Sequence, residues 1–172
     1  MKKHLAPLLL MTAFLSTFGF SARAVQAGDA APAFEAPATG GKTVKLADYK
    51  DKWLVLYFYP KADTPGCTKQ ACSLRDGIEG LTSVNATVLG ASVDSVESQE
   101  KFKAKYKLPF ELIADEKKEV AKAYDVMGAL GLMAQRKTFI INPEGKVARV
   151  IDDVETSKHV EQVAAALKEL QK

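Results

Sequence analysis

The chain has 172 residues, 47% of them hydrophobic and 26% charged, with two cysteines and a formal net charge of +3. These are the proportions of one globular domain with enough length for a real core. Lys2, Lys3 and Arg23 carry the whole excess of positive charge: without them 24 basic residues become 21, against 21 acidic ones. No basic footprint then remains for nucleic acid or for an anionic membrane surface.

Residues 1–27 have the layout of an export signal. Lys2 and Lys3 precede an apolar run from Leu5 to Phe20, and small residues follow at Ala22-Arg23-Ala24 and Val25-Gln26-Ala27. Cleavage is expected after Ala24 or Ala27, leaving residues 28–172 as the mature domain. The run is short and interrupted for a membrane-spanning helix. Export, most simply to a bacterial periplasm, is therefore expected, with no stable membrane association once the signal is removed. It would place both cysteines in an oxidising compartment.

Gly28 to Gly41 is rich in alanine, proline and glycine and reads as an extended lead-in, with a short strand over Val44 to Leu46. Trp53 to Tyr59 is a continuous apolar, β-favouring run of the kind covered on both faces of a sheet, and Pro60 ends it. Thr64-Pro65-Gly66-Cys67 starts a helix, with threonine at the N-cap and proline at the first helical position, running to Gly77 or Gly80. Thr87 to Val93 is a second strand. Ser95 caps a helix that aligns Phe102 with Tyr106 and stops at Pro109.

Leu112-Ile113 and Lys117 to Tyr124 follow as a short strand and a short helix, the latter with Val120, Ala121 and Tyr124 inward. Thr138 to Ile141 and Val147 to Ile151 flank Asn142-Pro143-Glu144-Gly145 and should pair as a hairpin. A last helix, capped by Thr156 or Ser157, carries Val160, Val163, Leu167 and Leu170 as its apolar stripe. The alternation of strands and helices predicts an α/β layer fold on a mixed sheet.

Chemistry concentrates between Tyr57 and Arg75. Cys67 lies in the first turn of its helix, where free N–H groups and the helix dipole favour a thiolate. Gly66 lets backbone amides approach a small ligand, and Thr64 adds a hydroxyl one turn back. Cys72 follows five residues on, and in an intact helix the two Cα atoms would stand about 8 to 9 Å apart. A disulfide needs roughly 4.4 to 6.8 Å, so these cysteines can bond only if the first turns unwind. From the residues alone, a structural staple, a metal site and a redox pair remain open.

Pro60-Lys61-Ala62-Asp63-Thr64-Pro65-Gly66-Cys67 resembles the peroxiredoxin signature, and YFYPKADTPGCTKQACSLRD resembles the bacterioferritin-comigratory, or Q, type. GDAAPAFEAP, KYKLPFELIADE and QRKTFIINPEGKV extend the likeness over nearly all of the mature chain. The resemblance implies a thioredoxin-like fold and a thiol peroxidase that needs no metal or organic cofactor. It implies Cys67 as peroxidatic nucleophile, Thr64 as hydrogen-bond partner of the peroxide, Pro60 as a shield from water and Arg136 as the arginine that polarises the peroxide. It implies Cys72 as resolving cysteine, a Cys67–Cys72 disulfide, hydroperoxides as substrates and a thioredoxin-like dithiol protein as reductant. Leu74 departs from the phenylalanine common in relatives, and the export signal departs from the largely intracellular members. The last helix bears no cysteine that could reach a neighbour, so a monomer is expected.

Two rival readings use the same fold. A thiol–disulfide oxidoreductase would want Cys-x-x-Cys, whereas four residues separate this pair. A copper-binding protein would recruit His159, the one histidine outside residues 1–27, which reads as a solvated residue in the first turn of the last helix. Arg75 with Asp76 reads as a structural ion pair, and Trp53 with Tyr57-Phe58-Tyr59 as core.

Overall fold

The structure, a computed structural model, describes residues 24–172. The expected export signal lies almost wholly outside the described residues. In chain order the elements are β1 (Glu35–Ala38), β2 (Lys42–Lys45), a 3₁₀ turn (Leu46–Tyr49), β3 (Trp53–Phe58), α1 (Pro65–Asp76), α2 (Ile78–Ser83) and β4 (Ala86–Ser92). Then come α3 (Val96–Tyr106), β5 (Glu111–Ala114), α4 (Glu119–Ala123), β6 (Lys137–Ile141), β7 (Val147–Ile151) and α5 (His159–Leu170). The strands make one mixed sheet in the order β2-β1-β5-β4-β3-β6-β7. β3, β4 and β5 run parallel, while β6 pairs antiparallel with β3 and with β7.

β3 lies inside the sheet between β4 and β6 and is buried on both sides, as its unbroken apolar run requires. Leu54, Leu56 and Phe58 face a core layer shared with Tyr124 and Phe139. Val55, Tyr57 and Tyr59 face the other layer, which includes Cys67, Ala71 and Leu74 of α1, Phe102 of α3 and Val163 and Leu167 of α5. The nucleophile candidate thus sits on the side where helices α1 and α5 cover the sheet.

Two local expectations are corrected, and one expected helix end is found. The lead-in contains a strand: Glu35–Ala38 pairs with Lys42–Lys45. Pro37 obscures it in the sequence, and a proline has no N–H to give to a second neighbour. Accordingly β1 and β5 share a single register pair, Ala38 with Ile113. Of the two ends expected for the helix begun at Thr64, Gly77 is the one found, and there a Cβ would lie 2.3 Å from Val160 Cγ2. Only a glycine lets α5 come that close.

The second correction concerns α5. Neither Thr156 nor Ser157 caps it: the helix opens at His159 with Lys158 at the N-cap position and no side-chain cap. Its first turn is satisfied from another element, because the Val160 N–H donates to Ser73 Oγ of α1 at 3.0 Å. A tertiary cap of this kind leaves no local sequence signal. His159 is also not solvated. It is fully buried, its Nε2 shares a 2.9 Å hydrogen bond with Thr138 Oγ1, and its ring meets Tyr57 edge-on at 6.0 Å.

Burial, and then the nearby Arg136 charge, push the His159 pKa down to about 4. The unfolded chain would bind this proton from about pH 6.5 downward, so His159 lowers stability only below that pH. The loss should grow as pH falls from about 6.5 to about 4 and reach about 3 kcal/mol. Denaturant titrations at both ends of that window should show a steeper acid loss in the wild type than in His159→Phe; equal slopes would remove His159 as the cause. At Gly90 a Cβ would meet Leu112 Cδ2 at 2.6 Å and the Tyr57 hydroxyl at 2.8 Å. Gly90→Ala should therefore cost about 1–3 kcal/mol by overpacking, read as a lowered midpoint in thermal unfolding.

Candidate active site

β3 delivers the chain to the site and β4 fixes where it leaves the sheet. Tyr59 N–H still donates to Ala91 O at 3.1 Å, one residue beyond the strand, and Pro60 then turns the backbone away. The loop is anchored at its middle, where the Ala62 N–H donates to Asp94 Oδ2 at 2.8 Å. Asp63 takes a left-handed conformation, φ 58°, and its carboxylate is clamped from α3 by Lys105 Nζ at 2.8 Å and Tyr106 Oη at 2.7 Å. These two donors hold the Asp63 carboxyl below its usual range, the Lys105 hydrogen bond first. Non-glycine residues rarely adopt this backbone, so the clamp stabilises a turn that propensity alone disfavours.

Thr64 is the N-cap residue and Pro65 the first helical residue, as expected. The cap hydroxyl, however, does not bond the helix; it donates to Lys61 O at 2.9 Å. Its single proton is thereby committed, and Thr64 Oγ1 is left with lone pairs that can accept from a peroxide O–H. The first-turn amides of α1 stay free of a side-chain cap and available to an anion or a polar ligand.

Cys67 is 2% exposed, and Cys72 is partly buried. Both thiols are free and α1 is intact around them. Arg136, just before β6, reaches across to this helix. Its Nη2 donates to Cys67 Sγ at 3.3 Å, and its Nη1 donates to Gln70 Oε1. A charged donor on sulfur is among the stronger hydrogen bonds a protein offers, and it favours the thiolate. At Gly66 a Cβ would lie 3.3 Å from Arg136 Nη2, so the glycine leaves the guanidinium its place.

Cys67, Gly66 and Arg136 are thus brought together in direct contact, with Pro60 and Thr64 on the loop and helix start that lead into Cys67. Cys72 lies on the same helix with no bond to Cys67. Gln70 is the residue the sequence reading missed. It is fully buried and three residues after Cys67, on the helix face that meets the sheet, and that i, i+3 spacing is the signal that could have found it. Arg75 pairs with Asp76 at 2.7 Å, as expected, and also donates from Nη1 to Tyr106 O at 2.8 Å.

The copper alternative finds no support in the geometry. His159 is engaged with Thr138, and among the described residues no three His, Cys, Asp or Glu side chains gather as a metal site. Polar satisfaction around α1 is incomplete. Tyr57 Oη, Thr68 Oγ1, Gln70 Nε2 and His159 Nδ1 are buried side-chain atoms with no hydrogen-bond partner among the described residues. Two of them lie on α1, and Tyr57 belongs to the core layer that packs α1 onto the sheet.

The sequence profile of the AhpC/TSA family matches residues 27–150. Peroxiredoxin Bcp of Bacillus subtilis (strain 168) is 40% identical over 152 residues, spanning 85% of this chain and 97% of the relative. Among solved structures, the bacterioferritin comigratory protein of Xanthomonas campestris superposes with a TM-score of 0.77 at 34% identity, covering 81% of this chain and 92% of that one. Peroxidoxin BcpB of Mycobacterium tuberculosis gives a TM-score of 0.79 at 33% identity, covering 86% and 99%. The sheet order, the strand-loop-helix around Cys67 and these likenesses agree: the chain has the thioredoxin-like fold and belongs to the AhpC/TSA family, among the peroxiredoxins of the Bcp or Q type.

Proposed function

We propose that this peroxiredoxin reduces hydrogen peroxide and organic hydroperoxides through Cys67, resolves the oxidised sulfur with Cys72, and is recycled by a thioredoxin-like dithiol protein. The observation that carries the reading is the Arg136 Nη2 donor 3.3 Å from a buried sulfur at a helix start. The Xanthomonas relative is characterised for alkyl peroxide reduction, which supports organic hydroperoxides as substrates here.

In this reading the Cys67 thiolate attacks the terminal oxygen of the hydroperoxide. An S–O bond forms, the O–O bond breaks, and the departing alkoxide or hydroxide takes up a proton to leave as alcohol or water. Negative charge moves from sulfur to the leaving oxygen along a line that Arg136 can follow with its second N–H. Thr64 Oγ1, an acceptor with its own proton committed, orients the peroxide O–H, while Pro60 limits the approach of water. The product is a sulfenic acid, the first rung of cysteine oxidation.

Cys72 then attacks the sulfenic sulfur, and water leaves as the disulfide forms. This step needs the first turns of α1 to open, since the two sulfurs sit on an intact helix. A dithiol reductant returns the pair to thiols by exchange, with its own cysteines oxidised. Lys2, Lys3 and the apolar run that follows support export, so the reductant would be a periplasmic one, and the protein would act as a monomer.

Three outcomes check this scheme. Cys67→Ser should abolish peroxide consumption in a dithiol-coupled assay; near wild-type turnover would overturn the assignment. Cys72→Ser should consume one equivalent of peroxide and accumulate a sulfenic acid trapped by dimedone, seen by mass spectrometry, whereas sustained cycling would show that Cys72 is dispensable. Gln70→Leu removes the acceptor that aims Arg136 and also removes an orphaned donor. It should slow the peroxide step roughly three- to tenfold, the worth of one hydrogen bond, while thermal stability holds or rises.

A further inference from the structure

Among the described residues, the hydrogen-bond partners of the Arg136 guanidinium, Cys67 and Gln70, both belong to α1. That is the one element which has to rearrange during the proposed cycle. A guanidinium tethered only to a moving helix would lose its aim each time the helix opened. Its constancy has to come from the other side, through the strand that follows it. Thr138 is two residues further on, inside β6, and looks to the same helix-covered side: Arg136 bonds α1, and Thr138 bonds His159 at the start of α5. Thr138 is fully buried and pairs in register with Tyr57 on one side and Ile151 on the other.

His159 meets Thr138 there. It opens α5, is fully buried, and bonds Thr138 Oγ1 through Nε2 at 2.9 Å. It also rests edge-on against Tyr57, the register partner of Thr138, with ring centroids 6.0 Å apart. One imidazole therefore touches a residue on each of the two strands under the site. The helix that carries it is braced in turn by Ser73 Oγ, which accepts from the Val160 N–H at 3.0 Å, and by the close approach of Val160 to Gly77. Both braces lie beyond Cys72, so opening the first turns of α1 leaves them in place.

We propose that His159 is a positioning residue for the peroxide step: its hydrogen bond to Thr138 fixes the start of β6, and thereby the Arg136 guanidinium, independently of the state of α1. The role rests on the peroxidase reading above and involves no contact with substrate. It separates two supports for one arginine. Gln70 aims the guanidinium while α1 is folded, and the His159–Thr138 bond keeps its base in place when α1 is not.

The test compares Thr138→Ser with Thr138→Val, and adds His159→Phe, all in the full chain. Stopped-flow mixing with hydrogen peroxide gives the rate of Cys67 oxidation, and the pH midpoint of Cys67 alkylation by iodoacetamide reports how well the thiolate is held. Thr138→Val and His159→Phe should each slow oxidation roughly three- to tenfold, the worth of one buried hydrogen bond, and move the alkylation midpoint upward. Thr138→Ser, which keeps the hydroxyl, should stay within about twofold of the wild type. In an Arg136→Met background none of the three should slow the reaction further, because the effect runs through that guanidinium.

Folded variants with wild-type rates and midpoints would overturn the proposal. So would an undiminished slowing in the Arg136→Met background, or a Thr138→Ser variant as slow as Thr138→Val. If His159→Phe fails to fold, the serine–valine pair decides. A wild type that consumes no peroxide would overturn the peroxidase reading itself; a competent wild type with unaffected variants would overturn the role of His159 alone.

Discussion

The contact between Arg136 and the first turns of α1 is the constraint around which the site is arranged. A guanidinium offers a rigid fork of donors, and here one tine meets a sulfur and the other an amide oxygen. Those two acceptors are three residues apart, so a single helical turn must present both to one strand end. That requirement explains why Gln70 is buried, why Gly66 has no side chain, and why the loop must enter the helix at a fixed place. The loop in turn needs Asp94 beneath Ala62, and Lys105 with Tyr106 on Asp63. Polar contacts at the surface and in the core thus converge on the placement of one cation.

The hydrophobic layers supply the rigidity against which this placement is possible. β3 is buried on both faces, and the aromatic residues Tyr57 and Tyr59 stack at 5.5 Å beneath α1. Close packing makes the sheet a poor spring. A helix lying on such a surface can exchange one discrete arrangement for another more readily than it can drift. α5 shares that surface and buries Val163 and Leu167 on it, so the second helix acts as a fixed neighbour to the first.

Much of this was legible in the sequence because the signals were local. The apolar run of β3, the Thr64-Pro65 helix start, the Asn142-Pro143-Glu144-Gly145 turn and the Phe102–Tyr106 pair each depend on neighbours a few residues away. What could not be read depends on distant partners. The strand at Glu35–Ala38 is a partial exception: its main partner β2 is close in sequence, but Pro37 hides it, and only its link to β5 is long-range. The start of α5 is set by Ser73, 87 residues earlier. His159 reads as a surface residue on its helix and becomes core only because Thr138 and Tyr57 surround it. Gln70 gains its role from a guanidinium 66 residues away.

The four buried polar atoms that lack a partner among the described residues bear on where the molecule is weakest. An unmet buried donor or acceptor costs about 1–3 kcal/mol, and Thr68 and Gln70 each carry one within α1. Opening those turns would give both groups access to water and recover part of that cost. The segment is also short and fenced, by the Asp63 clamp before it and by Ser73 and Arg75 after it, so little chain entropy is released or reclaimed. Stability in a folded protein is distributed unevenly. Here the distribution has a direction: the turns that hold the two sulfurs are the under-bonded part of an otherwise tightly braced face, a seam along which the fold opens without the sheet having to follow.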